Sequence, residues 1–377
     1  MATIWGPNIV TDELSLYLDA ANVESYAPAG TIPPKSESIA PAWDKSGYTA
    51  SATTAVGDDG VILHDNDYDN FVGRFAFTPA AGTYTVIFEH QASGADTLCD
   101  INDDGAFEDS FTTTFTSTTT KQIHTETNTT SNNWASYLYL RRTAAGGSEV
   151  TISNFRFYKS DSAGNSLKWY DLSGNGIVFG TQGTTMTPFQ TVSGSPALTF
   201  NDSGYWESEG GASQSDKVDI GGDCTIILWV YSDDLTERDT IFEKAGNTYA
   251  SYQQEIAITW EPNEYFTYYS RDNTYDYAST GYITVDKWNM AAIKMSTGRT
   301  TVARTGAYSI NGANWNWDSY TSRSDTALVS AGNITVGYGY ANVVTNGSIG
   351  SVLCYNKMLS DTEILQNFNA HKGRFGL

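Results

Sequence analysis

The sequence predicts an all-β chain organised as two sandwich bodies, with one short helix at the C-terminus, and three observations predict it. Tyr (24), Phe (16) and Trp (10) are abundant while charged residues are only 17% of the 377, a balance that suits pleated sheets and not charged, Ala-rich helices. Short apolar or alternating segments punctuated by Gly, Asn, Asp and Ser recur from GVILH to GSIGSVLCYN, the spacing of a sandwich or barrel. The length exceeds that of a usual single core, and 40% apolar residues can supply two.

Taken in order, LSLYLDA is the opening strand. From residue 31 to residue 164 a separate body is expected, entered through the Pro/Ser-rich TIPPKSESIAPAW and left through KSDSAGNS, both linker-like compositions. Its strands include GTYTVIFEH, SYLYLRR and EVTISNFRFY. The Thr-rich stretch from Phe111 to Thr130 reads as exposed strands, because Thr is β-branched and Phe115 and Ile123 supply anchors. Downstream, CTIILWVY is apolar on both faces and reads as a central strand, with the opposite sheet on one side and a further layer on the other. In QEIAITW, Ile256, Ile258 and Trp260 share one face and Glu255, Ala257 and Thr259 the other, the period of a half-buried strand. Ser360 followed by Glu363 forms a capping box for the closing helix, whose Ile364, Leu365 and Phe368 form a face to dock on a sheet.

Composition also excludes functions. The net charge is −22, divided as −9 over residues 31–165 and −13 elsewhere, so acidity is a general surface property. Phosphate neutralisation needs basic residues, and neither nucleic acid nor anionic lipid is an expected partner. No apolar run approaches the roughly 18 residues of a membrane span. The start MATIWGPNIVTDELSLYLDA lacks the basic and apolar regions of a signal peptide, so synthesis and folding in a cytosol are expected. Cys224 and Cys354 lie in apolar runs and Cys99 is distant in sequence, which favours buried thiols over a disulfide.

Three motifs carry candidate chemistry. Asp100, Asn102 and Asp104, with Gly105 and with Glu108 at position nine, fit the opening of an oxygen-rich calcium loop. Phe111 stands where a bidentate Glu belongs and no helices flank the loop, so an EF-hand is excluded; a partial Ca²⁺ loop and a polar hairpin remain open. His64 to Asp69 is acid-dense and reads as a solvated loop. The third motif is aromatic. Tyr268 and Tyr275, among Trp260, Tyr265, Phe266, Tyr269 and Tyr277, and then Trp315, Trp317 and Tyr320 in NGANWNWDSY, supply apolar faces with hydrogen-bonding tips. Either a glycan or a subunit interface would use them.

The residues outside the separate body resemble, in order, the concanavalin A-like or laminin-G-like lectin and glucanase jelly roll. LSLYLDAANVESY is similar to its opening strand and WYDLSGNGIVFG to the turn that follows. ALTFNDSGYWES, DCTIILWVYSDD, DTIFEKAG, VDKWNMAAIKM, YSINGANW and NITVGYG resemble its later strands and hairpins. The resemblance implies a discontinuous jelly roll from residues 1–30 plus 165–377, with the 31–164 sandwich, similar to a carbohydrate-binding module, inserted into a surface loop. In some relatives the positions of Asp171, Ser173 and Asn175 adjoin a structural calcium; alternatively Asp171 accepts backbone N–H bonds in a turn where Gly174 and Gly176 supply positive φ. Retaining glucanases need two carboxylates about 5 Å apart, and the E-x-D-x-x-E pattern that supplies them is absent; Glu261 and Glu264 flank a Pro-Asn turn instead. No nucleophile elbow, phosphate loop or H-E-x-x-H is present.

The ends GPNIVTDELSLYLDAAN and YNKMLSDTEILQNFNAHKGRFGL closely resemble those of virion structural proteins of tailed phages, especially marine ones. That resemblance implies a non-enzymatic capsid-decorating, neck or tail-fibre protein assembled in the host cytoplasm. It would be homo-oligomeric, in contact with other virion proteins, and would carry lectin-like domains able to adsorb to host-surface glycans. The alternatives are a dedicated Ca²⁺-dependent carbohydrate receptor-recognition protein and, with fewer residues behind it, a glycan hydrolase.

Overall fold

The computed structural model describes residues 8–39, 53–55, 60–64, 73–77, 80–103, 113–130, 136–143, 148–183, 187–201, 204–220, 223–232, 236–245, 253–262, 265–272, 274–296, 305–311, 316–319, 332–339 and 343–377. The architecture is antiparallel β throughout, and the chain divides into two compact units, residues 1–26 with 168–377, and residues 27–167. The divisions fall three or four residues from the 30/31 and 164/165 boundaries that composition suggests.

In the discontinuous unit, Cys224–Ser232 lies between Lys287–Ser296 and Asn346–Tyr355 in an eight-stranded sheet. The opening strand Leu14–Asp19 joins this sheet by pairing with the 351–355 end of Asn346–Tyr355, while Ser195–Asn201 pairs with its 346–349 end. A second eight-stranded sheet runs from Lys168–Tyr170 through Gly204–Ser208, Ile334–Val336 and Asp239–Ala245 to Gln253–Glu261, Tyr265–Asp272 and Thr274–Tyr282. The inner faces pack as one core in which Ile226, Leu228 and Val230 meet Trp206, Phe242, Ile258 and Trp260.

The opposite face of Cys224–Ser232 is buried as well. Ile227 and Trp229 pack with Leu353, Tyr355, Ile364 and Phe375, so the closing helix Asp361–His371 and the tail form the further layer that a strand apolar on both faces requires. The helix opens on its capping box, with the Ser360 hydroxyl accepting the Glu363 N–H and the Glu363 carboxylate accepting the Ser360 N–H. Lys357 and these Ser360 bonds hold the Glu363 carboxyl down at about 2. Ile364 and Phe368 face the sheet, but Leu365 is 46% exposed, so the docking stripe is narrower than expected. Gln253–Glu261 departs from a half-buried strand: Ala257 and Thr259 are as fully buried as Ile256, Ile258 and Trp260, because both faces of the second sheet are covered there.

The inserted unit holds a five-stranded sheet (Thr53–Ala55, Val61–Leu63, Val150–Lys159, Gly82–Ala92, Gln122–Thr130) and a four-stranded one (Gly73–Phe77, Ser136–Arg142, Thr97–Asp103, Thr113–Ser117). Their core gathers Val86, Phe88, Cys99, Ile101, Phe115, Leu140, Ile152 and Phe157. The Thr-rich stretch forms the strands Thr113–Ser117 and Gln122–Thr130, edges of the two sheets. Phe115 anchors the first; Ile123, at 53% exposure, does not anchor the second. All three cysteines are free and buried, and burial raises the Cys99 thiol to about 12 and Cys354 well above its ordinary range. Thiols so protonated are packing groups, not nucleophiles.

Candidate functional site

The DLSGNG segment is a turn that grips the opening strand. Asp171 Oδ1 accepts the Tyr17 and Ser173 N–H groups at 2.9 and 2.8 Å, and the Ser173 hydroxyl lies 2.7 Å from Oδ2. The Asn175 amide donates to the Ser15 carbonyl at 2.9 Å, and Gly174 and Gly176 take φ of +95° and +68°. Donor hydrogens surround this carboxylate, the environment of a turn acceptor. Asp100 is buried within Thr97–Asp103, opposite Thr114 and Arg141, and Asn102 lies two positions further on the same strand face. Asp104 and Glu108 lie outside the described residues, as do Asp65 to Asp69. Among the described residues, no group of three or more His, Cys, Asp and Glu is arranged to hold a metal.

A hollow of about 1000 Å³ opens where the end of the opening strand and the turn after it meet the end of the closing helix. Asp19 is 4% exposed, and Arg374 Nη1 donates to its two oxygens at 2.7 and 2.8 Å. The Ala21 N–H adds a bond to Oδ1 at 2.9 Å and the Tyr17 hydroxyl one to Oδ2 at 2.8 Å, with His371 Nε2 3.4 Å from that hydroxyl. Burial, and then the Asp19 carboxylate, raise the Tyr17 phenol above its ordinary range. Burial, and then Arg374, lower His371 to about 4. At neutral pH the phenol and the imidazole are therefore neutral, and Arg374 pairs with Asp19. An acid–base catalyst needs a group that titrates near the working pH, and neither Tyr17 nor His371 does. The hollow joins strand to tail and offers hydrogen bonds. Sequence reasoning missed it because Asp19 and Arg374 are 355 residues apart and neither lies in a motif.

The aromatic candidates separate by register. Trp260 is in the core, its indole N–H bonded to Asp239. Tyr268 is opposite Ile258 and Ala278, on the face that Ile258 shares with the core, whereas Tyr269 is opposite Ala257 and Tyr277, and Tyr275 opposite Arg271, on the other face. Trp317 lies in Asn316–Ser319 opposite Ala307; Trp315 and Tyr320 fall outside the described residues.

That outer face of the second sheet carries a further aromatic pair. In Gly204–Ser208, Trp206 points into the core while Tyr205 and Glu207 alternate outwards, half-buried. Gly337, at φ +85°, turns the chain so that Tyr338 folds back over the sheet; its ring stacks on Tyr205 with centroids 4.2 Å apart and 15° between planes. Its carbonyl accepts the Thr335 hydroxyl at 2.7 Å, and the ribbon of Tyr338–Gly339 and Val343–Val344 lies over Glu243, against which Gly339 packs. Glu207 and Glu243 flank Thr335 in register. Glu243 is 2% exposed beneath the ribbon, so these two carboxylates share no open cleft.

No protein-family profile and no curated protein matches the sequence. Among solved structures, the binding domain of botulinum neurotoxin DC, in complex with rat synaptotagmin II, is similar at 16% identity and a TM-score of 0.40, over 53% of this chain and 48% of that one. Domain 4 of AbnA, a GH43 extracellular arabinanase from Geobacillus stearothermophilus solved with arabinotriose, is similar at 15% and 0.38, over 53% and 92%. A Trypanosoma rangeli sialidase is similar at 12% and 0.41, over 67% and 43%. The chain thus spans about half the length of the neurotoxin domain it matches.

Proposed function

We propose that this chain is a non-enzymatic virion structural protein of a tailed phage, a capsid decoration or a neck or tail appendage, that displays two sandwiches for contact with host-surface glycans and with other copies or virion proteins. The observation that carries the contact reading is the outer face of the second sheet, where Tyr205 and Tyr338 stack half-buried. Solvent-facing rings with polar tips suit pyranose stacking or a subunit interface. Against catalysis, Glu243 on this face is sealed beneath the ribbon and Asp19 in the hollow is paired with Arg374. The phage assignment is supported by the resemblance of the two ends. A calcium role would rest on the Asp100 to Glu108 loop.

A glycan array probed with the full chain in calcium and in EDTA tests the contact reading. Binding in at least one condition is expected, and none in either removes it. Binding lost in EDTA would favour the Ca²⁺-dependent receptor alternative. Labelled antibody on intact particles tests the virion role, and the absence of label from particles contradicts it.

A further inference from the structure

The outer face holds a second detail besides its stacked rings. Among the described residues the Tyr205 hydroxyl has no hydrogen-bond partner, and its phenol oxygen is not enclosed. Glu207 donates nothing and accepts from Asn333 Nδ2 at Oε1, at 2.6 Å, which leaves Oε2 to solvent. Glu207 lies two residues on from Tyr205 on the same strand face, and burial, then this carboxylate and Tyr338, raise the Tyr205 phenol. Gln182, exposed, is the cross-strand partner of Tyr205. Ring faces, one free hydroxyl, one free carboxylate oxygen and one amide therefore converge on a single patch. Gly337, the Thr335 bond and the packing of Gly339 on Glu243 hold the patch in place before any ligand arrives.

We propose that Tyr205, Tyr338 and Glu207 form a subsite for one neutral hexopyranose ring of an oligosaccharide. The inference rests on the glycan-contact reading above and gives it a location and a ligand class. A pyranose presents axial C–H groups on one face, which pack on an aromatic ring, and hydroxyls around its rim, which donate to a carboxylate and exchange bonds with a phenol and an amide. Uncharged sugars are selected. An acidic side chain, Glu207, stands at the site and the chain carries −22 overall, so a uronic-acid chain meets repulsion both near and far. The alternation in GYWES is what exposes this pair: Trp206 is committed to the core, so its neighbours must look out.

Titration calorimetry of the full chain with maltohexaose, cellohexaose and mannohexaose, with oligogalacturonate as the anionic probe, tests it. At least one neutral hexaose binds and oligogalacturonate does not. Tyr205→Ala and Tyr338→Ala each weaken that binding roughly tenfold, the loss of one ring contact, while Leu365→Ser on the helix leaves it unchanged. Tyr205→Leu and Tyr338→Leu keep the apolar bulk and weaken binding as the Ala variants do, which settles the matter should Ala disturb the ribbon; circular dichroism checks the fold of each. Binding that persists in both Leu variants overturns this subsite and leaves glycan contact standing elsewhere on the chain. Tighter binding of oligogalacturonate overturns the neutral class. No binding of any hexaose overturns the subsite, and the array decides whether the wider reading falls with it.

Discussion

In the discontinuous unit the sheets close on Trp169, Trp206 and Trp260, and a second apolar layer of Trp229, Trp288 and Phe375 covers the back of the first sheet. In the inserted unit the described core combines aliphatic residues with phenylalanines and holds no tryptophan, and at its edge Phe88 and Phe115 enclose His90 and His124, with ring centroids of 4.8 to 6.0 Å. One body therefore gets its stability from doubly covered sheets, where burial does not depend on protonation. The other keeps imidazoles where its two edge strands meet. His90 is lowered to about 4 by burial and then by His124. The larger unit has such a group too, but His371 is the last residue of the closing helix, against Trp229 and Phe375, and not between the sheets.

The largest effects break the comparison at its cores. Trp229→Ala and Phe88→Ala should each cost about 3–5 kcal/mol, and by scanning calorimetry each should shift the transition of its own unit. One shared transition, moved equally by both, would contradict two separate cores. Next, Arg374→Met leaves Asp19 buried without its cation, and a loss of about 3 kcal/mol is expected in urea titration. A change under about 0.5 kcal/mol would mean the pair is a surface contact.

The acid response sharpens the contrast between units. An unfolded imidazole titrates near 6.5 while His90 and His371 in the fold titrate near 4. Between those values the unfolded chain binds more protons, so stability is complete above about pH 6.5, falls as pH drops towards 4, and then levels for these groups. His90→Gln should flatten that slope for the inserted unit alone, read as its melting temperature against pH. An unchanged slope would show that His90 is not the titrating group. Smallest, Ser360→Ala removes the helix cap and should cost about 1 kcal/mol, lowering the transition of the larger unit only.

What the sequence disclosed depended on local period. The Cys224–Ser232 strand, the capping box and the Asp171 turn are short-range patterns, and each was readable from adjacent residues. Coverage was not: Ala257 and Thr259 look solvent-facing because the layer over them comes from elsewhere in the chain, and Leu365 looks docked because a stripe of three does not show where the sheet ends. Ile123 misled for the same reason. The Asp19–Arg374 hollow left no local trace. The Tyr205–Tyr338 pair was half legible, since GYWES alternates plainly, but its partner ring arrives through a glycine turn more than 130 residues later.

Contact without bond-breaking is the central claim, and one assay measures both halves. The full chain is mixed with a neutral polysaccharide that the array identifies as bound, and retained protein and newly formed reducing ends are followed together. The account predicts retention that Tyr205→Leu and Tyr338→Leu diminish, with no reducing ends above the protein-free control. Release of reducing sugar that scales with protein concentration would contradict it.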